Sequence, residues 1–297
     1  MQWKGVMPAI TTGFKKNLTI DGSHITRHIN WLVDNGCTGI VANGTLGEAT
    51  SLSFDEKIQV LHTCIEAVGS RVPVISGIGA MTTAQAVALA QKAASVDCSG
   101  LMVLPPYLYS TDWREMKGHV AAVIEATELP CMLYNDPVAY GTDFLPEQIA
   151  ELAGEHSNLC AVKEATTDVR RITAIRALVG KRLSIAVGMD DVLVEGIAAG
   201  AIGWVAGTAN ALPAECVALF NYAMQGDNDK AFHLYKWIMP LMRLNAVPKF
   251  VQMTKLMQSV VGWGNTTVRP PRLELEGTEL QTALNIIKTT LSQRPKL

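Results

Sequence analysis

The chain has 297 residues, 48% apolar and 18% charged, which supplies a large core and is too apolar for a disordered chain. Lysine and arginine total 25 against 27 acidic residues, and the net charge of −2 excludes a general attraction to nucleic acid or an anionic membrane. No apolar run reaches spanning length and residues 1–4 carry no signal-peptide core, so a soluble, cytoplasmic protein is expected.

Short apolar runs alternate with longer amphipathic stretches. Strands are predicted over 5–12, 37–43, 73–77, 100–104, 130–134, 159–163, 184–188 and 202–206. Several are apolar without alternation, as strands buried on both faces are. Helices are predicted between and after them over 21–35, 53–69, 81–94, 111–126, 146–153, 167–179, 190–199 and 212–224. The first opens on Asp21 and stops before Gly36, a plausible cap pair. The second opens on Ser53 and Glu56 at capping-box spacing.

Eight strand–helix units over 1–225 predict an α/β fold, a (β/α)8 TIM barrel, ahead of a doubly wound open sheet. From 226 to 297 the character changes. Helices over 228–244, 248–261 and 278–292 have no strands between them and form a C-terminal helical appendage, with Val268-Arg-Pro-Pro-Arg272 as a stiff linker. Cys37, Cys64, Cys98, Cys131, Cys160 and Cys216 include no C-x-x-C pair and read as reduced structural thiols.

Barrel active sites lie at the C-terminal ends of the strands. Strand two runs into Gly44-Thr45-Leu46-Gly47-Glu48, strand five into Tyr134-Asn135-Asp136-Pro137, and strand six into Lys163-Glu164-Ala165-Thr166. Strand seven ends at Gly188 and strand eight is followed by Gly207. Lys163 follows a buried apolar run, where desolvation disfavours the ammonium and leaves an amine able to attack a ketone. A lysine merely paired with a rim carboxylate would sit in the same place. Tyr134 ends the neighbouring strand, where its phenol could move protons, or serve only as a core plug. The glycine-flanked turn offers backbone N–H groups for a carboxylate, and Thr45 a hydroxyl for the tyrosine. His24 and His28 have metal-ligand spacing, but their helix is expected outside the barrel with no third ligand. Asp190 and Asp191 read as caps of the seventh helix.

These residues together resemble the dihydrodipicolinate synthase / N-acetylneuraminate lyase family, the class I aldolase-like barrels. The resemblance runs from the Gly5-Val-Met-Pro-Ala-Ile-Thr-Thr12 opening to Val268-Arg-Pro-Pro271, and rests most on the motifs ending strands two, five and six. It implies that Lys163 is the Schiff-base lysine, Tyr134 the proton shuttle and Thr45 its hydroxyl partner. It implies that Gly44 and Leu46 hold the carboxylate of a small keto or imino acid, with Gly188, Gly207, Ala139 and Tyr140 at substrate-binding positions. It implies a homo-oligomer, a dimer or tetramer, and no metal or organic cofactor.

The departures point to a branch. The synthase usually has a second threonine where this chain has Leu46, and an arginine for its substrate's second carboxylate where this chain has Ala139. The partner-subunit tyrosine of the synthase falls on Leu108, leaving Tyr107 or Tyr109 as substitutes. The Gly44–Glu48 turn, Tyr134-Asn-Asp-Pro-Val-Ala-Tyr-Gly141, Gly203-Trp-Val-Ala-Gly207 and Val268-Arg-Pro-Pro-Arg-Leu273 look instead like the 1-pyrroline-4-hydroxy-2-carboxylate deaminases of hydroxyproline breakdown. A 2-keto-3-deoxy sugar acid aldolase or dehydratase, the synthase itself, and a binding protein that lost the reaction are the alternatives.

Overall fold

The structure, a computed structural model, describes residues 1–107 and 112–297. Eight parallel strands are β1 (Gly5–Pro8), β2 (Ile40–Ala42), β3 (Val74–Ile78), β4 (Gly100–Val103), β5 (Cys131–Asn135), β6 (Leu159–Glu164), β7 (Ser184–Val187) and β8 (Gly203–Ala206). Each pairs with its sequence neighbour from β2 to β8, and β8 pairs with β1. The last gap, between β1 and β2, is bridged at Ala9–Val41. The result is the expected (β/α)8 barrel.

Helices α1 (Gly22–Asp34), α2 (Phe54–Val68), α3 (Thr83–Ser95) and α4 (Trp113–Glu125) follow the first four strands. A short α5 (Pro137–Tyr140) precedes α6 (Pro146–Glu155), and α7 (Arg170–Val179), α8 (Leu193–Ala198) and α9 (Pro213–Gln225) complete the ring. Asp21 caps α1 by accepting from the His24 N–H, and the Ser53–Glu56 capping box opens α2. The chain closes with α10 (Asn228–Leu244), α11 (Phe250–Val260) and α12 (Gly277–Ser292), the C-terminal helices.

Alternation along the strands builds the site. Met7, Met132, Ala161, Ala186 and Val205 belong to the small cluster that fills the barrel. Side chains two residues further on point the same way. Those positions are Ala9, Tyr134, Lys163, Gly188 and Gly207. Lys163 and Tyr134 therefore stand one layer above an apolar plug, facing inward.

Several element ends differ from the prediction. The strand predicted over 5–12 stops at Pro8, and Thr11 and Thr12 turn their hydroxyls to Gln258 and to the Gly47 carbonyl. The short α5 was not expected; Pro137 opens it and Asp136 caps it through the Ala139 N–H. Asp190 does not cap a helix as expected. It turns inward and accepts from Trp204 Nε1, the Gly207 and Thr208 N–H groups, the Thr208 hydroxyl and Asn245 Nδ2. Five donors for a buried carboxylate outweigh one helix end. The linker at 268–272 is anchored: Arg269 grips Glu56 with both terminal nitrogens and bonds the Leu18 and Ser51 carbonyls. Among the described residues no helix is long and apolar enough to cross a membrane.

Candidate active site

Strands β5 and β6 pair with Tyr134 directly opposite Lys163. The lysine Nζ lies 3.8 Å from the centre of the tyrosine ring. Both side chains are buried. Desolvation pulls the Lys163 amine down from 10.5 to about 8, against the opposing pull of the Asp136 and Asp190 carboxylates. Burial, and then the Asp136 charge, drive the Tyr134 phenol well above its ordinary value. Gly188 makes room for the lysine: a Cβ there would stand 2.8 Å from Lys163 Cε and 2.6 Å from the Ala165 methyl. At Gly207 a Cβ would run into the Asn245 amide, which reaches over from the end of α10.

Tyr134, Asp136, Lys163, Gly188, Gly207 and Asn245 border one cavity of about 360 Å³, together with Gly44, Thr45, Leu46 and Ala139. The loop joining α10 to α11, through Val247 and Phe250, forms part of its wall. Among the described residues, Lys163 is the one cation and Asp136 the one carboxylate on the lining. The Thr45 and Leu46 N–H groups donate to no acceptor among the described residues, so the turn presents two free donors. A buried ion pair holds that turn. Glu48, in the left-handed region at φ 56°, puts Oε1 2.5 Å from Lys255 Nζ on α11, and Oε2 accepts from the Arg269 N–H.

The hydroxyl wiring differs from the expectation. Tyr134 donates to Asp136 Oδ2 at 2.8 Å, and Thr45 pairs with the Tyr140 hydroxyl instead. A carboxylate is the stronger acceptor, so the phenol donates its hydrogen bond there. Tyr140 is outside the cavity lining; its ring meets Tyr134 edge-on and stacks on Tyr107 at 5.6 Å. Burial pushes the Tyr107 phenol up to about 12. Leu108 and Tyr109 lie outside the described residues. His24 and His28 stack on each other, and buried His28 faces the Asn210 carbonyl with Nε2 at 2.8 Å. The sequence reading missed the roles of Asp136, Glu48 and Asp190, although all three stand in or beside the motifs it singled out. Nothing in the sequence marks Lys255 or Asn245.

A (β/α)8 barrel with an easily neutralised amine at its mouth is the architecture of the class I aldolase-like lyases. More narrowly, the family profile described as Dihydrodipicolinate synthetase family matches residues 2–290, and the chain belongs to that family. It is 34% identical to the 4-hydroxy-tetrahydrodipicolinate synthase of Agrobacterium fabrum, over 91% of this chain and 92% of that one. It is 32% identical to the synthase of Methanocaldococcus jannaschii, over 96% and 98%. A crystal structure of dihydrodipicolinate synthase from Aquifex aeolicus superposes with a TM-score of 0.92 at 26% identity, covering 96% of this chain and 97% of that one.

Proposed function

We propose that this lyase forms a Schiff base through Lys163 with a small α-keto or cyclic α-imino acid, and that its substrate is 1-pyrroline-4-hydroxy-2-carboxylate. The observation that carries the reading is that Lys163 is the single cation on the lining among the described residues. One amine and one N–H turn suit a monocarboxylate, and the Ala139 methyl offers no charge to a second carboxylate.

The neutral Lys163 amine adds to the imine carbon, and the ring C–N bond breaks to leave a ketimine and a free amine. The iminium draws electrons, so the adjacent carbon loses a proton to give an enamine. The enamine expels the β-hydroxyl as water. Hydrolysis frees Lys163, and the amine end tautomerises and hydrolyses. One water is consumed in total, giving 2,5-dioxopentanoate and ammonia. Thr45 and Leu46 N–H groups hold the carboxylate, and Tyr134 moves protons. The family resemblance extends the reading to a cytoplasmic homo-oligomer with Tyr107 near a subunit contact.

The test is ammonia release from 1-pyrroline-4-hydroxy-2-carboxylate, coupled to a semialdehyde dehydrogenase. Turnover in the ordinary range of ~1–10³ s⁻¹ is expected. The names of the relatives favour a second reading, the 4-hydroxy-tetrahydrodipicolinate synthase. Condensation of pyruvate with aspartate semialdehyde, without ammonia release from the cyclic imine, would establish that reading instead.

A further inference from the structure

A proton shuttle needs somewhere to leave its proton. Tyr134 is a poor store, because a buried phenol resists becoming a phenolate. The hydroxyl of Thr45, which could lead a proton outward, is committed to Tyr140. Among the described residues, Asp136 is the one hydrogen-bond partner of the Tyr134 hydroxyl. Its two oxygens divide their work. Oδ1 takes the Ala139 N–H and fixes the side chain, while Oδ2 takes the phenol at 2.8 Å. The residue is only 7% exposed, yet it borders the cavity. Capping a four-residue helix needs no carboxylate at that depth.

We propose that Asp136 is a positioning residue that acts through Tyr134 as the terminal carrier of the reaction's proton. The inference rests on the reading of Lys163 and Tyr134 above. In enamine formation the substrate C3–H bond breaks and its proton passes to Tyr134 Oη. The phenol's own proton passes to Asp136 Oδ2. The C–H electron pair becomes the C2=C3 bond, and the C=N pair returns to nitrogen. When the β-hydroxyl leaves, the proton runs back from Asp136 through Tyr134 and departs in the water formed. No oxidant or co-reactant is required.

Pyruvate serves as the probe, because its imine exchanges methyl protons with solvent through the same step. Two readouts separate the roles: borohydride-trapped adduct on Lys163 by mass, and methyl deuteration in D2O by NMR. Asp136→Asn keeps an acceptor for the phenol but binds a proton far less readily. It is expected to retain the trapped adduct at saturating pyruvate and to lose exchange about 100-fold, within the usual span for proton-transfer groups. Asp136→Glu is expected to recover at least a tenth of the lost rate. Groups acting as one unit are non-additive, so Tyr134→Phe combined with Asp136→Asn should exchange no more slowly than Tyr134→Phe alone. A purely structural Asp136 would lower adduct and exchange together, or gain nothing from glutamate, and either result overturns the proposal. Exchange by Asp136→Asn within threefold of the parent overturns it as well. A parent protein that forms no adduct removes the Lys163 reading itself, and this proposal with it.

Discussion

Burial makes the Lys163 amine easier to neutralise and weakens the fold at the same point. Holding the amine at about 8 rather than 10.5 costs the folded chain roughly 3 kcal/mol at neutral pH. The folded value is the lower one, so the cost is full below pH 8 and fades as pH rises toward 10.5. Lys163→Met removes the charge at similar volume. It should stabilise the protein by about 1–3 kcal/mol at pH 7, less at pH 10, and abolish the borohydride-trapped adduct; denaturant titration and mass measurement check both. In the proposed reaction the attacking form is the neutral amine. The initial rate of adduct formation should therefore climb as pH rises through about 8 and level off above it. A rate independent of pH between 6 and 9 would remove the desolvated amine from the mechanism.

Between elements, the site depends on contacts far apart in the chain. Lys255 on α11 is 207 residues from Glu48, and their pairing fixes the turn whose Thr45 and Leu46 N–H groups meet no acceptor among the described residues. Lys255→Met leaves buried Glu48 without its cation and should destabilise by about 3–5 kcal/mol; adding Glu48→Gln should restore much of that. Thermal and denaturant melts of the single and double variants measure the difference. Gly188→Ala forces a methyl against Lys163 Cε and the Ala165 methyl. It should cost about 1–3 kcal/mol of overpacking and most of the adduct yield, because the lysine must leave its place. The same distances explain what was legible in sequence. Consecutive strands are neighbours in a barrel, so Tyr134 beside Lys163 could be read from strand order, and the apolar runs were visible because both faces are buried. Strand and helix ends were less legible, since Pro8 and the Asp190 hydrogen bonds, not local propensity, set them. The Asp136–Tyr134 bond depended on an unforeseen four-residue helix turning the carboxylate inward.

Over the whole molecule, the net charge of −2 gives no long-range pull on anions, so on the proposed reading substrate charge is judged inside the cavity. Among the described residues, its lining carries one cation, Lys163, one carboxylate, Asp136, and the Thr45–Leu46 turn with two unbonded N–H groups. A keto acid with a single carboxylate satisfies the turn and leaves the far end neutral or cationic. A second carboxylate would meet no cation beyond Lys163 among the described lining residues, with Asp136 repelling it. Adduct formation with 2-oxoglutarate should therefore need at least about tenfold more ligand than with pyruvate, a difference of roughly 1.4 kcal/mol. Ala139→Arg puts a guanidinium at the rim of the same cavity and should narrow or reverse that preference without changing the pH dependence of the pyruvate adduct. Titrating both keto acids against both proteins, with trapped adduct as the signal, decides it. Equal half-saturation in the parent protein would show that the far end tolerates a dianion. The monocarboxylate reading, and the choice of the cyclic imino acid over a dicarboxylate product, would then fail together.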